Sequence, residues 1–238
     1  MPQSFQIAID GPVAAGKGTI SRLVAQRLDF LYVDTGAMYR VTAYLALEHG
    51  LAFSDEPALV ELIEKSKLEM RNPLEDERDG RLTTVLLNDE DISWKIRTEE
   101  VSTGSSQVAV LPKVRGVLVL KQQEIAAQTN VVMEGRDITY RVLPDAQLKI
   151  YLTAGDVVRA KRRHMQLQTR GEDISFNEVY RKLLERDLQD MNRASDPLKM
   201  VPEAWLIDSS DLSIEQVVDL IVERTHVLRD TAIRPSYN

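Results

Sequence analysis

The run Gly11-Pro12-Val13-Ala14-Ala15-Gly16-Lys17-Gly18-Thr19 leaves this chain few folds to choose from. The apolar stretch Phe5-Gln6-Ile7-Ala8-Ile9 before it reads as a short buried strand, and Ile20-Ser21-Arg22-Leu23-Val24-Ala25 after it as a helix. Strand, glycine loop, helix is the setting in which such a loop cradles phosphate. Gly11 and Gly16 permit close backbone approaches that a β-carbon would block, so successive N–H groups turn inward toward phosphate oxygens. The helix that follows adds the positive end of its dipole. Lys17 supplies a mobile charge for the β and γ phosphates, and the Thr19 hydroxyl is placed to ligate a magnesium ion bridging them. The usual pattern ends Gly-Lys-Ser/Thr. Here the hydroxyl comes one place later, after Gly18, a spacing typical of loops that serve small kinases. Asp10, immediately before the loop, either orients Lys17 or begins the turn.

The 238 residues, 43% of them hydrophobic, suffice for a sizeable core. No cysteine is present, which rules out a disulfide framework and thiolate metal sites and fits a reducing compartment. No apolar run approaches the roughly 20 residues that span a bilayer, and Met1-Pro2-Gln3-Ser4 lacks a basic targeting region, so a cytoplasmic protein that binds no membrane is expected. The net charge of −7 argues against a nucleic-acid polymer as partner. Positive charge for phosphate must therefore be local. No exposed apolar stripe stands out, so the chain is expected to be a monomer.

Strand-like runs at Phe5–Ile9, Leu31–Val33, Val131–Met133, Leu148–Leu152 and Ala204–Ile207 alternate with helical patterns, among them Leu59–Ile63, Val114–Ala127 and Val217–Leu228. This alternation predicts an α/β fold with a five-stranded parallel core sheet and helices on both faces. The stretch from Lys67 to Ile92 differs: Asp79-Gly80, a hairpin turn signal, lies between Leu68-Glu69-Met70 and Leu82-Thr83-Thr84-Val85-Leu86-Leu87. It reads as a small β-rich insertion whose tip, Glu75 to Asp79 with Arg78, is a solvated loop. Asp156 to Arg170 is dense in cations and suits a short helical flap ending at Gly171, while 229–238 reads as a disordered tail. His49, His164 and His226 lack metal-ligand spacing, and these histidines, with Trp94 and Trp205, read as packing groups.

A phosphate loop needs an acceptor opposite it, and polar strings follow the predicted strands where open α/β sheets bind ligands. Asp34-Thr35-Gly36-Ala37-Met38-Tyr39-Arg40 follows the second strand, and Glu134-Gly135-Arg136-Asp137 the third. In Arg186-Asp187-Leu188-Gln189-Asp190-Met191-Asn192-Arg193, helical spacing puts Arg186, Asp190 and Arg193 on one face. Together with Ile96-Arg97-Thr98-Glu99-Glu100-Val101 and Ser105-Ser106-Gln107-Val108-Ala109, in this order, these strings resemble the bacterial cytidylate kinase (CMP/dCMP kinase) family from Ile7 to about Val222.

The resemblance implies a P-loop NTPase fold of three α/β/α layers forming a single kinase domain. Its core would comprise about 1–34, 111–154 and 172–228, its monophosphate-binding region with the β insertion about 35–110, and its lid about 155–171. It implies transfer of the γ-phosphoryl group of ATP, carried with magnesium, to CMP or dCMP. Gly11 to Thr19 would hold ATP. Ser106, Arg115 and Asp137 match the residues that read cytosine, a carboxylate accepting from the exocyclic amino group where uracil offers a repelling carbonyl. Asp190 and Arg186 match positions near the ribose, with Thr35 also on the CMP side. Arg40, Arg136 and Arg193 match those on the acceptor phosphate, and Arg159 and Arg163 those that close on the transferring group. Lys17, Arg136, Arg159, Arg163 and Arg193 would carry the catalysis, since planar guanidinium forks hold phosphate oxygens bidentately and stay charged.

In one place the chain departs from the family: after Asp137-Ile138 the usual Gly-Thr is replaced by Thr139-Tyr140-Arg141. The lost glycine restricts the backbone just past the base-reading carboxylate, and Arg141 adds a charge with no assigned partner. Within the enzyme class the rival is a kinase for another small acceptor such as UMP. Outside it, a nucleotide-dependent switch would call for a guanine-reading Asn-Lys-x-Asp string, which the sequence lacks.

Overall fold

The computed structural model describes residues 4–77, 79–169 and 171–233. Arg78 at the insertion tip, Arg170 of the flap and 234–238 of the tail lie outside the described residues. Strand β1 (Gln6–Asp10) runs through the phosphate loop into α1 (Lys17–Leu28), and β2 (Leu31–Asp34) leads into α2 (Thr35–Glu48) and α3 (Glu56–Lys65). A separate small sheet follows, made of β3 (Leu68–Arg71), β4 (Thr84–Leu87) and β5 (Glu90–Asp91). A 3₁₀ turn at Lys95–Arg97 opens onto α4 (Glu99–Val108) and α5 (Pro112–Gln128). The chain returns to the main sheet as β6 (Val131–Gly135) and β7 (Leu148–Thr153), joined through a π-helical turn at Ile138–Val142. Helices α6 (Asp156–Gln168) and α7 (Phe176–Asn192), strand β8 (Trp205–Asp208) and α8 (Ile214–Ile233) complete it.

The main sheet has five strands in the order β2-β6-β1-β7-β8, all parallel, as the alternation predicts. Side chains alternate across it, so each strand feeds two cores. Ile7, Ile9, Val132, Ile150 and Ile207 face Ile20 and Val24 of α1 and Val217 and Ile221 of α8. On the other face Ala8, Val33 and Met133 pack with α2, α3 and α5 through Met38, Leu59 and Leu118. Because all five strands run the same way, their C-terminal ends, Asp10, Asp34, Gly135, Thr153 and Asp208, share one edge. Polar side chains cap the helices that start nearby: Asp34 accepts from the Ala37 N–H, Thr98 from Val101 and Ser175 from Glu178.

Three boundaries differ from the sequence expectation. Glu134 and Gly135 are the last residues of β6 rather than a loop after it, because the strand keeps pairing with Ile9 and Asp10. Strands β3 and β4 do pair antiparallel, Leu68 opposite Leu87, but Asp79-Gly80 lies within a longer connection, 72–83, that includes a 3₁₀ turn. The tight turn is Asn88-Asp89, between β4 and β5, with φ of 51° and 67°. Two consecutive left-handed residues are what a hairpin turn of this twist requires, and Asn and Asp tolerate them. The final helix extends from Ile214 to Ile233, well into the stretch expected as tail. His164 and His49 hydrogen-bond to backbone carbonyls as packing groups, and Trp94 lies half-exposed, donating to Asp79.

The phosphate loop presses against the sheet at Gly11. A β-carbon there would lie 2.0 Å from the Leu152 carbonyl oxygen, and neither backbone can yield without breaking the β1–β7 pairing. Gly116, inside α5, has nothing within 4 Å of the same position. Opposite outcomes are expected. Gly11→Ala should cost about 3 kcal/mol or more and lower Tm by about 10 °C, whereas Gly116→Ala should gain about 0.5–1 kcal/mol from helix propensity. Thermal denaturation of both variants checks this.

Candidate active site

At one end of the site, the loop between β1 and α1 is held by its own lysine. Lys17 is buried, and its Nζ donates to the carbonyls of Gly11 and Pro12, both at 2.8 Å. Burial lowers its pKa to about 7; the nearby Arg136 pushes the same way, while Glu134 and Asp10 oppose. Thr19 is exposed and lines a cavity of about 650 Å³ together with Gly16, Lys17, Arg40, Glu134 and Arg163. Gly18 separates Lys17 from Thr19, and its missing side chain has a tertiary reason. A β-carbon there would sit 3.2 Å from Glu134 Oε1 and 3.4 Å from the Tyr32 hydroxyl. Glu134 accepts from that hydroxyl at 3.1 Å, and burial together with Asp34 raises its pKa.

Asp10 does neither thing that the sequence allowed. Its carboxylate accepts from the Ile138 N–H, the Thr139 N–H and the Thr139 hydroxyl at 2.9, 2.8 and 2.7 Å. It therefore ties β1 to the turn after Asp137, and burial raises its pKa despite these bonds.

At the other end, Arg115, fully buried on α5, donates to Asp137 Oδ2 at 2.5 Å and to the Ala109 carbonyl at 3.2 Å. Its guanidinium lies 5.6 Å above the Tyr39 ring. Arg193 donates to Asp137 Oδ1 at 3.2 Å. Burial raises the Asp137 pKa, while Arg115 and Arg193 pull it back. Asp137, Thr35, Tyr39, Ser106 and Arg193 line a second cavity of about 130 Å³. Asp190 pairs with Arg136 at 2.6 Å rather than with Arg186 on its own helix; burial works against its charge, but Arg136 outweighs it and holds the carboxyl low. Arg193 lies beyond the end of α7, with extended backbone, and reaches this cavity from the helix cap rather than from the shared face expected.

Gly36, Arg40, Gly135, Arg136 and Arg186 line both cavities, so the two chambers meet at a cationic seam. Asp34 anchors that seam: it pairs with Arg40 at 2.5 Å and with Arg97 at 3.7 Å, and these cations overcome its burial to keep its pKa low. Crowding by the surrounding walls, and by Arg136, Arg163 and Arg40, lowers the pKa of Arg186. Thr35 donates its hydroxyl to the Glu134 carbonyl at 2.8 Å, locking the start of α2 to the end of β6.

The flap arginines divide. Arg163 lines the cavity of the phosphate loop and donates to Gln166 at 2.7 Å. Arg159 is buried and held by the protein itself, donating to the Val13 and Ala154 carbonyls at 2.9 Å and to Asp187 at 2.6 Å. Burial explains the orientation: a guanidinium enclosed in protein must satisfy its donors there. Asp187 also accepts from the Val13 N–H at 3.2 Å, so it joins the phosphate loop to α6.

The sequence matches the family model described as cytidylate kinase over residues 7–227. The chain belongs to the cytidylate kinase family. It is 42% identical over 219 residues to a cytidylate kinase of Carboxydothermus hydrogenoformans, covering 92% of this chain and 96% of that one. It is 43% identical over 223 residues to one from a Geobacillus species, covering 94% and 97%. A third, from Shouchella clausii, is 41% identical over 223 residues, covering 94% and 96%.

Sequence reasoning did not assign roles to Glu134, Arg97, Arg162, Asp187 or Tyr39. Glu134, Arg97, Asp187 and Tyr39 sit inside strings already singled out, so motif adjacency was their available signal. Arg162, which lines the cavity of the phosphate loop and bonds to Ser209, carried none beyond local charge.

The buried ammonium of Lys17 makes a pH prediction. Its pKa is about 7 in the folded chain, against about 10.4 when unfolded, so charge burial costs stability fully below pH 7 and the cost fades as pH rises toward 10. Lys17→Met removes that cost and removes two hydrogen bonds at every pH. The Tm of Lys17→Met relative to wild type should therefore fall by several degrees between pH 6 and pH 9.5; a constant difference would show that the ammonium is not desolvated.

Proposed function

We propose that this chain transfers the γ-phosphoryl group of ATP to CMP or dCMP, giving CDP or dCDP and ADP. The observation that carries the reading is the pair of cavities meeting at Arg40, Arg136 and Arg186, one walled by the phosphate loop and the other ending at Asp137. Family membership across residues 7–227 supports the acceptor's identity.

In this reading the loop from Gly11 to Thr19 holds the triphosphate, and Asp137 accepts from the amino group of cytosine. Arg40 and Arg136 hold the acceptor phosphate at the seam. An oxygen of that phosphate forms the new bond to the γ phosphorus as the bond to the β–γ bridging oxygen breaks, and ADP leaves with that electron pair. The acceptor phosphate is already ionised at neutral pH, so no general base is required. Lys17 and the seam arginines stabilise charge on the oxygens of the group in flight, and Arg163 completes the cage from α6.

Magnesium fits this donor set. The Thr19 hydroxyl and the Glu134 carboxylate would be its hard oxygen ligands, with Gly18 between them leaving room that a side chain 3.2 Å from the carboxylate would take. When bound, the ion would neutralise charge on the β and γ oxygens. We read 1–34, 111–154 and 172–228 as the core of a single kinase unit, 35–110 as its acceptor region and 155–171 as a flap that excludes water. Free nucleotides as substrates accord with a cytoplasmic monomer carrying a net charge of −7.

ADP formation with CMP, dCMP, UMP and AMP as acceptors tests the reading. CMP or dCMP should accelerate it at least about tenfold more than UMP or AMP, the scale on which one buried polar mismatch discriminates. UMP as the preferred acceptor would replace the reading with a uridylate-specific one, and no acceleration by any monophosphate would end it. Replacing single cationic groups should show as rate losses: Arg136→Ala and Arg193→Ala by about 10²-fold in kcat/KM, and Lys17→Ala by about 10³-fold.

A further inference from the structure

Around Asp137 the charged groups close into a ring. Arg115 spans from Asp137 to the Asp196 carboxylate, where its Nε reaches Oδ2 at 3.0 Å. Arg193 spans from Asp137 to the Asp196 backbone carbonyl, where its Nε donates at 2.7 Å. Two arginines from different parts of the chain thus bridge the same two aspartates. Asp196 lies in the connection between α7 and β8, outside regular structure and with a φ of 49°. A connection of this kind has no sheet or helix to fix it, so its position depends on side-chain ties.

Tyr140 and Arg141, in the turn that follows Asp137, supply two of them. The Tyr140 hydroxyl donates to the Pro197 carbonyl at 2.6 Å, and the Lys199 ammonium sits 4.1 Å over the Tyr140 ring. Arg141 Nε lies 3.5 Å from Asp196 Oδ1. Thr139 fastens the same π-helical turn to Asp10 through both its N–H and its hydroxyl. From the other side, the Leu198 N–H donates to the Asp190 carbonyl at 2.8 Å.

The geometry has a consequence for base reading. An arginine facing a single carboxylate tends to engage both its oxygens through a planar fork. Arg115 does not: its Nε is taken by Asp196 and one Nη by the Ala109 carbonyl, so only Nη2 reaches Asp137. Arg193 is likewise shared with the Asp196 carbonyl. Each Asp137 oxygen therefore receives one arginine N–H and keeps acceptor capacity, which an exocyclic amino group needs.

We propose that Asp196 is a positioning residue for base selection: it draws Arg115 and Arg193 toward itself, splits the fork that would otherwise cover Asp137, and is braced in place by Tyr140 and Arg141. This rests on the cytidine monophosphate reading above. Thr139-Tyr140-Arg141 is then a support for base discrimination.

Steady-state kinetics with CMP and UMP at saturating ATP, on wild type, Asp196→Asn, Tyr140→Phe and the double variant, test the proposal alongside Tm. Asparagine keeps the size and the left-handed tolerance of Asp196 and removes only the charge. Asp196→Asn should raise KM for CMP about tenfold with kcat changed less than about threefold, and should lower the CMP-over-UMP ratio of kcat/KM about tenfold, the scale of one charge-assisted hydrogen bond. KM for ATP should stay within about twofold. Tyr140→Phe should move the same ratio by about threefold, and the double variant by less than the product of the two, since both act through one support. A wild type that prefers CMP together with an Asp196→Asn ratio unchanged within twofold would overturn this proposal alone. A parallel rise in KM for ATP and CMP with a lowered Tm would overturn it too, as the mark of general loosening. A wild type without preference for CMP would overturn the functional reading and this one with it.

Discussion

A guanidinium taken out of water must find its compensation inside the protein, and the sheet edge of this chain gathers many of them. Arg40 and Arg97 share Asp34, Arg136 has Asp190, Arg159 has Asp187, and Arg115 and Arg193 share Asp137. Attraction between buried charges roughly offsets the desolvation it requires, so these pairs add little net stability as intact units. Breaking one, however, leaves an isolated charge whose cost is several times larger, about 3–5 kcal/mol. The network therefore acts as a geometric constraint. Elements distant in sequence must arrive together, because no one of them can bury its charge alone.

The pairs cross the fold in a definite way. Asp187 on α7 reaches both Arg159 on α6 and the backbone of Val13, so the phosphate loop is fastened to the helices that follow β7. Asp190, one turn further along, holds Arg136 at the end of β6. Asp10 at the end of β1 holds the π-helical turn after Asp137. The two chambers are thus set relative to each other by carboxylate ties that join strand ends to helices and turns, and five residues line both chambers. In a chain carrying a formal charge of −7, three acids near the site, Asp34, Asp187 and Asp190, are each paired with an arginine.

Much of this was legible beforehand, for reasons that differ by residue. The five core strands were readable because a parallel strand covered on both faces is apolar throughout, as Ile7-Ala8-Ile9 and Val131-Val132-Met133 are. The phosphate loop was readable because backbone chemistry at Gly11 and Gly16 leaves no substitute. The small sheet was legible from the Asp79-Gly80 turn signal between two apolar runs, and β3 and β4 do pair; that the connection is long, and that the tight turn is Asn88-Asp89 in the next hairpin, only the pairing of β4 with β5 decides. The direction of Arg159 was not legible at all. A cation on a flap helix has no partner fixed by its place in the chain, and folding brings Arg159 against Asp187.

Residue order alone settles local matters: where backbone must turn tightly, which stretches must be buried, and which residue types could meet phosphate or cytosine. These follow from the conformational freedom of glycine, the period of apolar residues and the chemistry of single side chains, none of which needs a partner to be defined. Tertiary structure decided the pairing. Asp10 supports a turn more than a hundred residues away, Gly18 is small because Glu134 and Tyr32 lie against it, and Asp196 divides Arg115 from a full embrace of Asp137. A charge has no preferred partner along the chain. It takes the one that folding brings within reach once water has been excluded from both.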